Sequence, residues 1–217
     1  MLFRSLGFVR RLAEYKNQMI LRAIIKAICA ERGEKVLTPL GPLEGLGMQV
    51  FCAGYTSEPV CCDWVNEFQE WTWGSLKGKF VFLPEYTFEL LSESAKGLDI
   101  GINCPKKKRE GCGASDKRWA INGVANVAVP TGGPAEYIRE FNPETLEGNG
   151  FLIDPEDPLT IYRALKIASR LYYNWQDFGD PTWLKLKMNS YLSGKAVDIT
   201  WAIENYKKRA FNPLLNQ

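Results

Sequence analysis

Two kinds of hydrophobic pattern alternate along the chain. Short apolar runs, typical of buried strands, occur at residues 2–9, 49–53, 80–83, 98–102, 124–129 and 148–153. Between them, apolar residues recur every three or four positions, as in an amphipathic helix, at 12–33, 60–73, 87–96 and 159–173, and a further helix is predicted to begin near residue 134. Strands that alternate with helices over short connections predict an α/β fold with a parallel, doubly wound sheet.

The pattern also suggests how the chain is divided. We expect residues 1–175 to form one Rossmann-like domain and 176–217 to form a helical extension that packs on the same domain. The expected apolar stripe of that extension comprises Trp183, Leu186, Tyr191, Ile199, Trp201, Ile203 and Tyr206. Residues 35–47 are rich in glycine and proline and show no periodicity, so they are predicted to be a surface loop.

Two glycine turns lie where a predicted strand leads into a helix, at 110–114 and at 131–134. Such turns leave backbone N–H groups unpaired at the positive end of a helix, which suits a phosphate. In a parallel sheet both turns would lie at the carboxyl edge, where ligands of α/β sheets bind. The spacing therefore favours a phosphorylated or nucleotide-bearing ligand.

Composition limits the chemistry. The 217 residues carry a formal net charge of +2, which argues against a general nucleic-acid surface. Histidine is absent, so the commonest general base and every Ser-His or Cys-His nucleophile pair are excluded. Carboxylates, Lys, Arg and backbone amides remain to act on a substrate.

The six cysteines show no C-x-x-C pair, so a structural metal site is not expected. Most are expected to be buried thiols, although Cys104 and Cys112 flank a basic run and pairing between them stays open. Neither a signal peptide nor a membrane-length apolar run is evident. The sequence therefore favours a soluble cytoplasmic protein that binds neither nucleic acid nor membrane.

Four stretches together resemble a known family: VRRLAEYKNQ (9–18), LPEYTFELLSESAKGLDIGIN (83–103), EGCGASDKRWAINGVANVAVPTGGPAEYI (110–138) and GNGFLIDPEDP (148–158). They resemble the C-terminal, donor-binding domain of retaining glucosyltransferases of the GT-B type. That group includes the glycogen and starch synthases and, in the same superfamily, the α-glucan phosphorylases. The resemblance covers roughly residues 8–170 and keeps the motifs in order.

The resemblance implies catalytic roles for three residues. Arg11 and Lys16 match the cations that hold the donor phosphates. The forked guanidinium of the arginine and the compact ammonium of the lysine would together neutralise a leaving diphosphate. Glu110 matches a glutamate that hydrogen-bonds the transferred glucose. Without the resemblance, the two cations would be interpreted as solvated charges at a helix start.

The implied donor-binding residues lie on the two glycine turns and beside them. They are Cys112, Gly113 and Ala114 on the first turn, Arg118 in the helix that follows it, and Thr131, Gly132 and Gly133 on the second turn.

One position separates the two branches of the superfamily. Arg118 stands where the phosphorylases have the lysine that binds pyridoxal phosphate, and arginine does not form a Schiff base at ordinary pH. Lys117 is adjacent, but one helical step rotates a side chain by about 100°. No cofactor is therefore expected. Arg118 also replaces a carboxylate that some GT-B enzymes direct at the ribose, and it either meets a phosphate or braces the loop.

The run Lys106-Lys107-Lys108-Arg109 is the strongest local charge cluster. Two interpretations remain open: a solvated loop, or a patch that attracts a nucleotide sugar or an acidic partner in a salt-dependent way.

The resemblance implies retaining transfer of glucose from ADP-glucose or UDP-glucose to an α-1,4-glucan, with no protein nucleophile and with assistance from the leaving phosphate. An N-terminal GT-B domain, on the same chain (in cis) or on a separate one (in trans), would supply the acceptor side, the part of the cleft that binds the glucan. We therefore expect the chain alone to bind donor weakly and not to transfer glucose unaided. The alternatives are a phosphorylase-like domain and a non-catalytic GT-B remnant.

Overall fold

A parallel sheet of six short strands forms the centre of the molecule. The computed structural model describes residues 4–110, 115–197 and 199–212. The strands are β1 (Ser5–Val9), β2 (Lys35–Thr38), β3 (Gly41–Glu44), β4 (Gln49–Ala53), β5 (Phe80–Leu83), β6 (Ile100–Asn103), β7 (Ala125–Ala128) and β8 (Gly150–Leu152). The sheet has the order β5-β4-β1-β6-β7-β8, and all neighbouring strands are parallel. The predicted Rossmann-like α/β fold is confirmed.

The strand order places a topological switch point beside β1. The chain runs from β1 through β4 to β5 on one side of the sheet, then crosses to β6 on the other side of β1. The loops that leave the carboxyl ends of β1 and β6 therefore diverge and open a crevice between them.

Eight α-helices connect or cover these strands in the described part of the chain. They are α1 (Ile25–Cys29), α2 (Cys62–Trp73), α3 (Phe88–Gly97), α4 (Ser115–Ala120), α5 (Gly133–Tyr137), α6 (Pro158–Phe178), α7 (Thr182–Ala196) and α8 (Ile199–Tyr206). No described helix combines the length and the apolarity that a membrane crossing requires.

Two sequence predictions are wrong between residues 12 and 47. The single helix expected over 12–33 is broken into 3₁₀ turns at Glu14–Lys16 and Gln18–Ala23 followed by α1, because Asn17 adopts a left-handed conformation with φ 57°. The loop expected over 35–47 contains an antiparallel hairpin, β2–β3. Its strands have only four residues each, so the turn-forming residues around them outweigh the strand signal in the sequence.

The core on one side of the sheet is built around Phe68. Its ring lies 5.2–6.1 Å from the rings of Phe8, Trp71, Phe80 and Phe82, which come from β1, α2 and β5. The aromatic face of α2 is therefore a packing face, as its spacing predicts.

The C-terminal helices only partly follow the predicted apolar stripe. Trp183 and Leu186 of α7 are buried, and α7 packs against α4 and α6. In contrast, Tyr191, Ile203 and Tyr206 are exposed. The stripe is wrong for these three residues, of which Tyr191 lies on α7 and the other two on α8. The side chains of Ile199 and Trp201 lie outside what the structure describes. The boundary at residue 175 stays a prediction.

Candidate functional site

A cleft of about 240 Å³ opens at the switch point, at the carboxyl ends of β1 and β6. Its described lining consists of Val9, Arg10, Arg11, Tyr15, Lys16, Tyr86, Leu91, Glu110, Ser115 and Arg118. These residues come from four separate segments of the chain, and only the fold brings them together. Four of them are cations and one is a carboxylate, so the cleft holds an excess of positive charge.

Glu110 is the carboxylate of the cleft, and it is 7% exposed. Its Oε2 atom accepts a hydrogen bond from Arg10 Nη2 at 2.7 Å and a second one from Lys16 Nζ. A carboxylate this deeply buried requires such partners, because an isolated buried charge is strongly unfavourable. Lys16, predicted to hold phosphate, thus meets Glu110 in the structure.

Arg10 is the buried member of the arginine pair. Its backbone N–H donates to Ala53 O at 2.9 Å, which extends the pairing of β1 with β4 by one residue. Its Nη1 donates to Asn103 Oδ1 at the end of β6. A Cβ on Gly54 would lie 2.2 Å from Arg10 O, so only glycine permits the chain to pass so close. Arg10 is therefore held by the backbone, by Asn103 and by Glu110.

Arg11 and Arg118 form the other cationic pair in the lining. Arg11 is exposed whereas Arg10 is buried, although both line the cleft. The Arg118 guanidinium lies 4.1 Å from the ring centre of Phe88, an arrangement that fixes its plane without using its N–H donors. Both side chains can thus offer hydrogen bonds to an anion.

The second glycine turn contributes no residue to the described lining of this cleft. Thr131, Gly132 and Gly133 follow β7 at the same edge of the sheet, but they are not among the described residues that line the cleft. Thr131 Oγ1 accepts a hydrogen bond from Lys108 N at 3.3 Å. Since the turn opens a helix of only five residues, positive charge at this edge comes mainly from side chains.

The first glycine turn lies largely outside the described residues. Glu110 is described, but the predicted donor contacts Cys112, Gly113 and Ala114 are not. Cys104, the other cysteine beside the basic run, is a buried free thiol, and burial raises its pKa to about 11. Of the five described cysteines only Cys62 is exposed.

The basic run is partly neutralised by nearby carboxylates. Lys106 pairs with Glu14 at 2.7 Å, and Lys107 pairs with Asp154 at 3.1 Å. The hydrogen bond and charge of Lys106 lower the pKa of Glu14. Lys106 N also donates to Tyr15 O at 2.8 Å, so the loop is tied to the segment that carries Lys16.

A buried polar contact joins the helices that follow the two turns. Tyr137 of α5 donates from its hydroxyl to Asp116 Oδ2 of α4 at 2.9 Å. Burial raises the pKa of Asp116, and burial together with the Asp116 charge raises the pKa of Tyr137. Asn126 on β7 donates to the backbone O of Asp116 at 3.1 Å. This contact supports α4 from the side opposite to Arg118.

A larger cavity of about 630 Å³ lies between α1, α2 and the β2–β3 hairpin. Its charged lining includes Arg22, which pairs with Glu67 at 2.9 Å, and both side chains are partly solvated. Because it has no buried carboxylate surrounded by cations and lies away from the carboxyl edge, we place the candidate site at the smaller cleft.

Sequence reasoning missed six of the ten described lining residues, and three of these, Arg10, Tyr15 and Tyr86, carry a charged or aromatic group that a ligand can use. The adjacent arginines at 10 and 11 signal that one must point inward at a strand end, because neighbouring side chains of a strand face opposite ways. The two tyrosines show no spacing or motif in the sequence that would mark them as site residues.

No protein-family model matches the chain. Glycogen synthase of Mycoplasma mobile is 30% identical over 107 residues, which is 49% of this chain and 21% of that relative. The catalytic domain of starch synthase IV from Arabidopsis thaliana, solved with ADP and acarbose, superposes with a TM-score of 0.69 at 20% identity over 96% of this chain and 37% of that one.

The C-terminal domain of a group 1 glycosyl transferase from Francisella tularensis superposes with a TM-score of 0.61 at 17% identity, over 89% of this chain and 85% of that chain. The chain therefore has the α/β fold of a GT-B C-terminal domain, and about half of it is similar in sequence to part of a glycogen synthase. The region that matches this chain is about a fifth of the M. mobile relative, so the chain is similar to only part of a longer protein.

Proposed function

We propose that this GT-B domain binds ADP-glucose or UDP-glucose for a retaining glucosyltransferase that extends an α-1,4-glucan. The observation that carries the proposal is the cleft at the switch point, whose described lining holds one carboxylate, Glu110, and four cations, Arg10, Arg11, Lys16 and Arg118. A nucleotide sugar combines a diphosphate, a polyhydroxyl ring and a flat base. The cleft has a counterpart for each of these three parts.

The diphosphate is assigned to Arg11, Arg118 and Lys16. The first two have guanidinium N–H groups that face no carboxylate within the described residues, and Lys16 is the least buried cation on Glu110. Each charge-assisted hydrogen bond stabilises a complex by about 1.5–3 kcal/mol. Loss of one such contact is therefore expected to weaken binding roughly 10- to 100-fold.

The glucosyl ring is assigned to Glu110, whose carboxylate accepts hydrogen bonds from hydroxyl groups. Negative charge at this place also favours the positive charge that develops on the ring during transfer. The base is assigned to Tyr86, which lines the cleft and is 38% exposed, so that its ring can stack on a flat heterocycle.

In the proposed reaction, the bond from the anomeric carbon to the diphosphate oxygen breaks, and a bond to an acceptor hydroxyl forms on the same face of the ring. The proton of that hydroxyl passes to the departing diphosphate. This chain has no histidine to take that proton, so within this domain the role is assigned to the leaving group.

The acceptor side is proposed to come from an N-terminal GT-B domain, in cis or in trans. Ligand sites that enclose a whole small molecule measure roughly 300–1,000 Å³. At about 240 Å³ the cleft is sized for part of the donor. The A. thaliana neighbour, of which this chain covers 37%, supports the same division.

We propose that the domain uses no pyridoxal phosphate. Arg118 lines the cleft, whereas Lys117, the lysine that a phosphorylase-like reaction would need, is not among the described lining residues.

The proposal is tested by calorimetric titration of the purified chain with ADP-glucose, UDP-glucose, ADP and inorganic phosphate. We expect weak binding of nucleotides that decreases as sodium chloride is raised. Arg11→Ala should weaken ADP binding at least tenfold. The matched control is Lys96→Ala, which removes a solvated cation paired with Glu93 on α3 and should leave binding unchanged.

Glu110→Gln should weaken ADP-glucose binding but not ADP binding, because the carboxylate is assigned to the sugar. Binding of no nucleotide by the unmodified chain would support the non-catalytic alternative. Glucan synthesis by this chain without a second domain would contradict the assignment of the acceptor side.

A further inference from the structure

The three charges at the centre of the cleft are not equivalent. Arg10 and Lys16 both contact the same oxygen of Glu110, Oε2. The two cations and one carboxylate carry a net charge of +1 in a place shielded from water. One cation is sufficient to neutralise Glu110, and the other is in excess.

Arg10 is the fixed cation of the two. Its side chain is 7% exposed, and it is also bonded to Asn103, itself fully buried at the end of β6. Its backbone N–H is part of the sheet. A guanidinium also keeps its charge at any ordinary pH. Arg10 can therefore leave Glu110 only if it also breaks its hydrogen bond to Asn103.

Lys16 is the exchangeable cation. Its side chain is more exposed, at 12%, and it lies on a 3₁₀ turn of only three residues. Apart from Glu110, its recorded side-chain contact among the described residues is the ring of Tyr15, 5.0 Å away. A lysine stem has four rotatable bonds, so its ammonium can turn from a carboxylate to a phosphate within the same cleft.

We propose that Arg10 is a positioning residue that keeps Glu110 neutralised and thereby frees Lys16 for the donor phosphate. This inference rests on the proposed function. With Arg10 present, Lys16 can turn to the phosphate and leave a neutral pair behind. Without Arg10, Lys16 is the sole partner of a buried carboxylate, and its departure would leave that charge unpaired.

The proposal predicts an unusual rescue. Arg10→Met should weaken ADP binding about as much as Lys16→Met does, roughly 10- to 100-fold, although Arg10 is not assigned to the phosphate. Arg10→Lys should recover most of that loss because it keeps the charge. The double variant Arg10→Met/Glu110→Gln should restore ADP binding to within about threefold of the unmodified chain, since no carboxylate then holds Lys16.

These affinities are measured by calorimetry, and circular dichroism verifies that each variant is folded. Unchanged ADP affinity in Arg10→Met, or a folded double variant that binds ADP no better than Arg10→Met, would overturn the proposal. If Arg10 only maintained the packing of the cleft, Glu110→Gln would not restore ADP binding in a folded Arg10→Met variant.

Urea unfolding without ligand tests the same inference separately from the proposed function. Arg10→Met should lower the unfolding midpoint at least twice as much as Lys16→Met, and Glu110→Gln should reduce that difference. Equal midpoints for the two single variants would overturn the fixed role of Arg10. Failure of the unmodified chain to bind any nucleotide would refute the proposed function, and the unfolding result alone would then decide the role of Arg10.

Discussion

Replacement of Gly101 by alanine should damage both the core and the cleft. Gly101 lies on β6 between β1 and β7, and a Cβ there would lie 2.1 Å from Cε3 of the fully buried Trp119 ring. Ordinary contact between carbon atoms begins near 3.4–3.5 Å, so the indole must retreat by roughly 1.3 Å. The indole is rigid and enclosed, and α4 must move with it.

Overpacking of this kind costs about 1–3 kcal/mol, and the central strand places Gly101→Ala near the upper value. For a chain of this size that corresponds to a fall in Tm of roughly 6–12 °C. Because Ser115 and Arg118 of α4 line the cleft, displacement of the helix should also weaken ADP binding.

The assay is urea and thermal unfolding followed by circular dichroism, with ADP titration of the folded variant. Gly97→Ala is the matched control, because a Cβ there meets nothing within 4 Å at the end of α3, and it should be neutral or slightly stabilising. If the free energy of unfolding of Gly101→Ala lay within about 0.5 kcal/mol of the unmodified value, the packing argument would be refuted.

Three further predictions concern the site and the core. Burial raises the pKa of Asp116, so its folded form holds a proton more tightly than the unfolded chain, and the stability that this provides is lost as pH rises through the raised pKa. Asp116→Asn, which does not titrate, should therefore become more stable relative to the unmodified chain as the pH rises above about 4 in urea unfolding, and a constant difference would contradict the reasoning. Arg118→Ala should weaken ADP binding roughly tenfold in calorimetry while Lys117→Ala does not, and the reverse order would favour the phosphorylase-like alternative. Phe68→Ala should cost about 3–5 kcal/mol in unfolding, whereas the exposed Phe178→Ala should change stability by less than about 0.5 kcal/mol; equal losses would contradict the core assignment.

Local patterns were sufficient for most of the fold. Strands such as 80–83 are short apolar runs between turn residues, and the structure places a strand there with the same bounds. The helix predicted at 159–173 is present and extends to Phe178, where Gly179 ends it in a left-handed conformation with φ 72°. The predictions were wrong at Asn17 and at the β2–β3 hairpin, where the backbone conformation, and not the spacing of apolar side chains, determines the structure.

The candidate site was predictable only in part. Arg11, Lys16, Glu110 and Arg118 were named from the sequence, and all four line one cleft in the structure. The difference between Arg10 and Arg11 was not predictable, because it depends on which of two adjacent side chains turns toward β6.

The sequence by itself determined the order of strands and helices, the absence of histidine chemistry and the positions of the turns, because these depend on residue type and short-range spacing. The tertiary structure decided which charges meet. Arg10, Lys16 and Glu110 are separated by up to 100 residues, and their electrostatic energy depends on distance and burial, which exist only after β1 and β6 pair.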